Sequence, residues 1–440
     1  MDSQTLSVGF GEVDITPPAG VSKMCGGLQP RTNVGTDDPL LAKALVAASG
    51  AGPIAVVGVD LIGLPRTLVD QALERIERRT GIDRGAVLVS CSHTHSGPYT
   101  VEGLYSFGVT DEAYLATLPD AIAMSVERAC ASLRQATMHI GRSVVHHYLH
   151  HRRVLGKDGK AINTWMTDMI NDLDRCPQLV GTCGPVDPEM WVLRFDDLTG
   201  RPIGAFVNFS LHVNTHFGTT WSADYPGVIA SEMRRVFGPQ VSTVFTPGAC
   251  ANINTTMGLD KWHQAAAFLA EQAVIAAKRA RKVETPVVVD GIRRDLLAPR
   301  RDPLSQPAEA IARLDWGGGR SWPEVFEPML DHIGAMPDAL PVPVGAVRMG
   351  PFAIASNPGE LFVEHGLTIK QRSPFPHTVV AELTNDLILY QPTRQAFEQQ
   401  AYETLVGANR VSMTGIEQIV DTAGELLQQL WDRAPIPRPK

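Results

Sequence analysis

Residues 86–98, AVLVSCSHTHSGP, constrain the fold more than any other stretch of the chain. A run of apolar β-formers, Val87, Leu88 and Val89, ends in two histidines and a Ser-Gly-Pro stop. That pattern reads as a buried strand and its exit turn. Residues i and i+2 of a strand share a face, so His93 and His95 are expected to look into one place at the strand's C-terminal end. Open α/β sheets hold their ligands outside the carboxyl ends of their strands. Two imidazoles there suit a metal ligand with a neighbouring acid or base. The competing reading is two exposed loop histidines, and donors from elsewhere in the chain decide between them.

The flanking segments alternate between the two periodicities. Strands are expected at 40–48 and 53–62, 86–92, 191–209, 241–246, 286–297 and 377–383, with a hairpin over 343–356. Helices are expected at 66–79 (Leu68, Ala72 and Ile76 as the apolar stripe), 111–133, 226–237, 260–281, 394–405 and 415–432. After the turn at Pro358 and Gly359, Glu360 is expected to open a helix. Together these predict an α/β protein: a mixed β-sheet core layered with helices, one large domain over 1–440 with loop insertions. The insertions, at 156–190 and 298–340, are expected to act as lids or binding loops.

Composition removes several function classes. A net charge of −8 with no long basic run argues against nucleic acid and against a polybasic membrane patch. The longest uncharged apolar stretch, Ala44–Val59, is broken by turn residues at 50–53, so no integral membrane segment is expected. The first ten residues carry no signal-peptide pattern, and Cys25, Cys91, Cys130, Cys176, Cys183 and Cys250 are scattered; a cytoplasmic chain with free thiols is expected. Cys176 and Cys183 read as small apolar residues rather than a bridge. The partner implied is a small-molecule substrate, and the sequence leaves homo-oligomerisation open.

HExxH, CxxC, GxSxG and Walker patterns are all missing, which argues against the common metalloprotease, redox, serine-hydrolase and P-loop classes. HHYLHHRR at 146–153 lacks partner cysteines and ligand spacing, and reads as a strand edge or substrate loop. What remains are groups at strand ends: His93, His95, His212, Glu360 and Tyr390. Histidines with a carboxylate and an open position describe a catalytic zinc, Zn2+. Singly, Glu360 also fits a charge at a helix N-terminus and Tyr390 a half-buried core ring.

Here the chain resembles the neutral/alkaline ceramidases, zinc amidases that cleave the N-acyl bond of ceramide. The matching blocks, in order, are VGFGEVDITPP, VVGVDLIGL with Asp60, HTHSGP, NFSLHVNT with SADYPG, NPGE, and the spacing from Tyr390 to AYE at 401–403. The resemblance implies zinc ligands at His93, His212, Glu360 and Tyr390, with His216 the runner-up to His212. It implies His95 as a second histidine beside the metal, Tyr402 as a substrate-contacting tyrosine, and a substrate-contacting arginine at Arg152 or Arg153. It further implies hydrolysis of an amide by metal-activated water, with His95 moving the proton. The same site would open a lactone or ester, and a non-catalytic binding protein on this fold is the third reading. The chain departs from the family at CANINT, where Asn252 and Asn254 stand for an Asp and a Ser, and at Asp37, which stands for a histidine. It is also expected to lack the family's C-terminal β-sandwich domain.

Overall fold

The computed structural model describes residues 5–27, 30–50, 52–101, 108–164, 179–256, 258–305 and 329–436. A mixed sheet of nine strands forms the largest layer. Its order is Ser242–Pro247, Pro202–Phe209, Glu189–Asp197, Arg134–Val144, Ser7–Asp14, Leu41–Ser49, Gly52–Val59 and Val87–Cys91, with Arg281–Lys282 added to Arg134–Val144. The two outermost pairs are parallel; the others are antiparallel. A second sheet runs Val289–Pro299, Ala339–Met349, Phe352–Ser356 and His377–Ala381, its last pair parallel.

The sheets meet face to face. Trp191 and Phe206 of the large sheet pack on Phe352 of the small one, with ring centroids 5.9 and 6.3 Å apart. Val244, Val347 and Ile354 belong to the same buried cluster. The helices Leu118–Ala131 and Trp262–Arg279 pack on the large sheet, beside Arg66–Thr80 and Asp224–Phe237; Met413–Arg433 packs on the small one. A strand covered on both faces reads as a continuous apolar run, and Ile54–Val59 is buried at every position. Close helix–sheet approach is built in at Gly9, where an added Cβ would lie 2.0 Å from the Ala129 carbonyl oxygen. The α/β architecture with a mixed sheet layered by helices agrees with the sequence expectation. No helix of the described residues is long and apolar enough to cross a membrane.

Local departures from the sequence reading have physical reasons. The helix expected over 111–133 is two, Glu112–Leu115 and Leu118–Ala131, because Pro119 cannot donate in a helix interior and sits in the first turn of the second. The helix expected over 394–405 stops at Gln399; Gln400 and Ala401 take φ of +60° and +94°, and Tyr402–Thr404 form a separate 3-10 turn. The insertion at 156–190 is not structureless at its ends: Ala161–Asn163 and Leu179–Thr182 flank Arg153–Gly156 in a small sheet. The rest of it, 165–178 with Cys176, lies outside the described residues, as does 306–328 of the second insertion. The outer parts of 298–340 belong to the strands Val289–Pro299 and Ala339–Met349.

Candidate metal centre

The site gathers segments that follow strands of both sheets: Val87–Cys91 and Pro202–Phe209 of the large one, Phe352–Ser356 and His377–Ala381 of the small one. The strand Val87–Cys91 ends before the histidines, so strand alternation is not what aligns them. His93 instead adopts φ +71°. That left-handed residue turns the chain so that the rings of His93 and His95 meet edge to face, centroids 4.9 Å apart. His212 follows Pro202–Phe209, and its ring lies 4.5 Å from that of His93 and 5.0 Å from that of His95. His93, His95 and His212 each offer one ligand atom within 4.8 Å of the others.

The protons on these rings are fixed by backbone carbonyls, which only accept. His93 Nδ1 is 2.7 Å from Ile62 O, His95 Nδ1 is 2.7 Å from Gly26 O, and His212 Nδ1 is 3.3 Å from Cys250 O. Each Nδ1 therefore carries the hydrogen, and each Nε2 presents a lone pair. Those lone pairs face one another: Nε2 of His93 is 3.0 Å from that of His212 and 3.4 Å from that of His95. Glu360 Oε2 stands 3.3 Å from His93 Nε2, buried and without a hydrogen-bond partner among the described residues. Three imidazole acceptors thus converge, and Glu360 Oε2 stands against the Nε2 of one of them, His93. Ligand atoms about 2.0–2.1 Å from a tetrahedral zinc lie about 3.3 Å apart, and the donor set fits such an ion.

Electrostatics favour one positive charge among these rings. Burial, then the charge at His93, holds His95 and His212 well below the usual histidine range. At His93 itself burial opposes charge, but the Glu360 carboxylate outweighs it and raises the pKa, so positive charge is favoured at this Nε2, which a cation would supply in place of a proton. Glu360 does not open a helix as the sequence suggested. It sits in a two-residue strand, Glu360–Leu361, paired in parallel with Tyr390–Gln391, and the helix begins at Val363. The pairing places Glu360 directly opposite Tyr390.

Tyr390 and Tyr402 stack edge to face, centroids 5.3 Å apart. Arg152 lies over the Tyr390 ring at 5.3 Å and donates a hydrogen bond to its phenol. Wholly buried, Arg152 stays charged: Tyr390 and Glu403 raise its pKa against desolvation. Its charge is felt at His95 and His212. The neighbouring Arg153 is occupied elsewhere, donating to Glu403 and to the carbonyls of Ala396 and Gln400. His216 does not join the cluster. Its Nδ1 is 2.7 Å from Ser96 Oγ, its Nε2 is 3.1 Å from Asp37, and its ring packs on Trp262.

Sequence reasoning missed Glu403 and Glu382. Glu403 is fully buried between Arg152 Nε at 2.9 Å and Arg153 Nη1 at 2.8 Å, with Asn163 Nδ2 also donating. Its signal was an acid directly after Tyr402. The Asn252 departure also has a place. Its Oδ1 accepts from Val363 N, while Nδ2 reaches Glu364 and His151, 2.9 Å each. Asn254 Oδ1 accepts from Arg152 at 3.4 Å. Among the described residues the histidines of 146–151 join no metal-ligating group; Leu149–His151 pairs with Ile253–Thr255 as a strand edge.

The family model for the neutral/alkaline non-lysosomal ceramidase N-terminal region matches residues 6–235. The neutral ceramidase of Pseudomonas aeruginosa is 29% identical over 223 residues, 48% of this chain and 30% of the relative. Neutral ceramidase A of Dictyostelium discoideum is 26% identical over 223 residues, 48% of this chain and 29% of its own length. These sequence matches therefore span less than a third of either relative. The solved neutral ceramidase from Pseudomonas aeruginosa superposes with a TM-score of 0.75 at 20% identity, covering 100% of this chain and 76% of that one. A ceramidase complexed with C2 superposes at 0.76 and 18% identity, covering 99% and 77%. At those identities the structural likeness carries the fold.

Proposed function

The chain belongs to the neutral/alkaline non-lysosomal ceramidase family, and from that premise we propose that it is a zinc-dependent hydrolase of a carbon–nitrogen amide bond. The observation that carries the reading is the convergence of three Nε2 atoms, each ring's Nδ1 held by a backbone carbonyl, with an orphaned carboxylate oxygen of Glu360 against His93. His93, His212 and Glu360 would hold the ion, with Tyr390 beside them as the fourth donor. When bound there, a divalent ion supplies Lewis acidity, polarising a carbonyl and lowering the pKa of a water from about 15.7 toward about 7.

The chain's own residues supply the rest. His95, kept neutral by burial, takes a proton at Nε2 from the attacking water and returns it to the departing amide nitrogen. Gly26 O holds the opposite nitrogen, so the ring keeps its orientation through both transfers. Arg152 and Tyr402 bind and orient the substrate, with Arg152 as a fixed positive donor to a hydroxyl or carboxylate. The relatives are named for ceramide, so an N-acyl compound is the substrate class.

The test is metal content by elemental analysis, combined with turnover of a panel of ceramides, N-acyl amino compounds, small amides, lactones and esters. Equimolar zinc with chelator-sensitive amide cleavage supports the reading. Full amide turnover after the metal has been stripped sinks it. Cleavage confined to lactones or esters keeps the site and replaces the bond.

A further inference from the structure

One buried carboxylate lies behind the donors where the two sheets meet. Glu382 directly follows the strand His377–Ala381 and is wholly buried. Its Oε2 accepts the amide hydrogens of Leu361 at 2.8 Å and Cys250 at 3.2 Å, and the Cys250 thiol donates to Oε1 at 3.0 Å. Both partners are one step from a donor. Leu361 N shares a peptide plane with the carbonyl of Glu360. Cys250 O is the acceptor that holds His212 Nδ1. Ala251 N donates to Leu361 O at 3.2 Å, a second tie between the same two segments.

We propose that Glu382 is a positioning residue of the metal centre, fixing with one side chain both the backbone that aims Glu360 and the carbonyl that orients His212. The inference rests on the metal-binding reading above. Packing alone does not call for an acid here. Burying this side chain completely carries a desolvation cost that an apolar residue in the run HTVVAEL would avoid. What the side chain adds is acceptor capacity: three donors on two oxygens, from Leu361, which follows Glu360, and from Cys250, whose carbonyl holds His212. Partners of this kind orient a ligand without touching the ion.

The experiment is a Co2+ titration of metal-free wild type and Glu382→Gln. Visible absorption reads coordination geometry, chelator competition reads affinity, and circular dichroism on the same samples reads folding. The amide keeps the size but has one oxygen for three donors. The expected result is a folded variant that binds Co2+ about 10- to 100-fold more weakly, with altered absorption bands. Unchanged affinity and unchanged bands overturn the proposal. If Glu382→Gln fails to fold, Cys250→Ala and Cys250→Ser carry the test. Weaker binding in the alanine variant, recovered by the serine hydroxyl, supports the proposal, and equal affinity in both and in wild type overturns it. A wild type that takes up no Co2+ removes the metal reading itself, and this inference with it.

Discussion

His93 Nε2 and His212 Nε2 stand 3.0 Å apart with no proton to share, because Ile62 O and Cys250 O hold the hydrogens on the other side of each ring. Two lone pairs at that distance repel unless a cation lies between them. His93→Ala or His212→Ala should therefore release the metal on dialysis. Amide hydrolysis should fall by more than about a hundredfold, since losing a ligand costs more than the 10- to 100-fold of losing its outer partner. Elemental analysis and a turnover assay check this; a variant with full metal and full turnover counts against the site.

His95 can be displaced without touching the other donors. Gly26 has φ +84°, and a Cβ there would lie 2.6 Å from His95 Cβ. Gly26→Ala should move the His95 ring while His93, His212 and Glu360 stay in place. Metal content is expected to remain near wild type, while kcat drops by about 10²–10⁴, the range of a lost acid–base catalyst. Loss of metal in this variant would instead make His95 a ligand.

Glu403 neutralises two buried arginines at once. Burial works against its charge, but Arg152 and Arg153 outweigh burial and hold its carboxyl below the usual glutamate range. Glu403→Gln leaves both guanidinium groups without their shared countercharge. Breaking a buried pair from one side costs about 3–5 kcal/mol. Denaturant melts should show a loss of that order; a change below about 1 kcal/mol would contradict the account.

Asp386 sets a pH dependence of stability. Burial pushes its carboxyl up to about 6 from 3.8, against the amides of Leu387 and Arg66 that donate to Oδ1. The folded value exceeds the unfolded one, so the folded chain binds the extra proton between these limits. The contribution is full below pH about 4 and is lost as the pH rises through about 6. Asp386→Asn is neutral throughout. The stability of wild type relative to this variant should fall by up to about 3 kcal/mol from pH 4 to pH 7, read from urea midpoints in chelator. Parallel pH curves would exclude it.

Much of this was legible in the chain. The apolar run before His93 marked a buried strand, and the structure has one at Val87–Cys91; the period-3.6 spacing marked the long helices. His93, His212 and Glu360 were singled out as strand-end groups, and His93 Nε2 lies 3.0 Å from His212 Nε2 and 3.3 Å from Glu360 Oε2. Other features depend on distant backbone. The joint orientation of His93 and His95 comes from a left-handed turn at His93, not from strand pleat. Glu360 pairs with Tyr390 because the two segments leave neighbouring strands of the small sheet, which no local pattern near Pro358 and Gly359 encodes. Glu382 gave a faint signal as the one acid in an apolar run, but its partners Cys250 and Leu361 are brought to it only by the packed sheets.

The acceptors around His93 come from two bodies of structure: the histidines hang from the nine-stranded sheet, Glu360 and Tyr390 from the four-stranded one. An ion held there would act as a rivet through the seam between them. Any breathing motion that parts the sheets would let it leak away before the chain as a whole came undone. The residence time of such an ion would be a clock for the opening of that seam, running ahead of global denaturation.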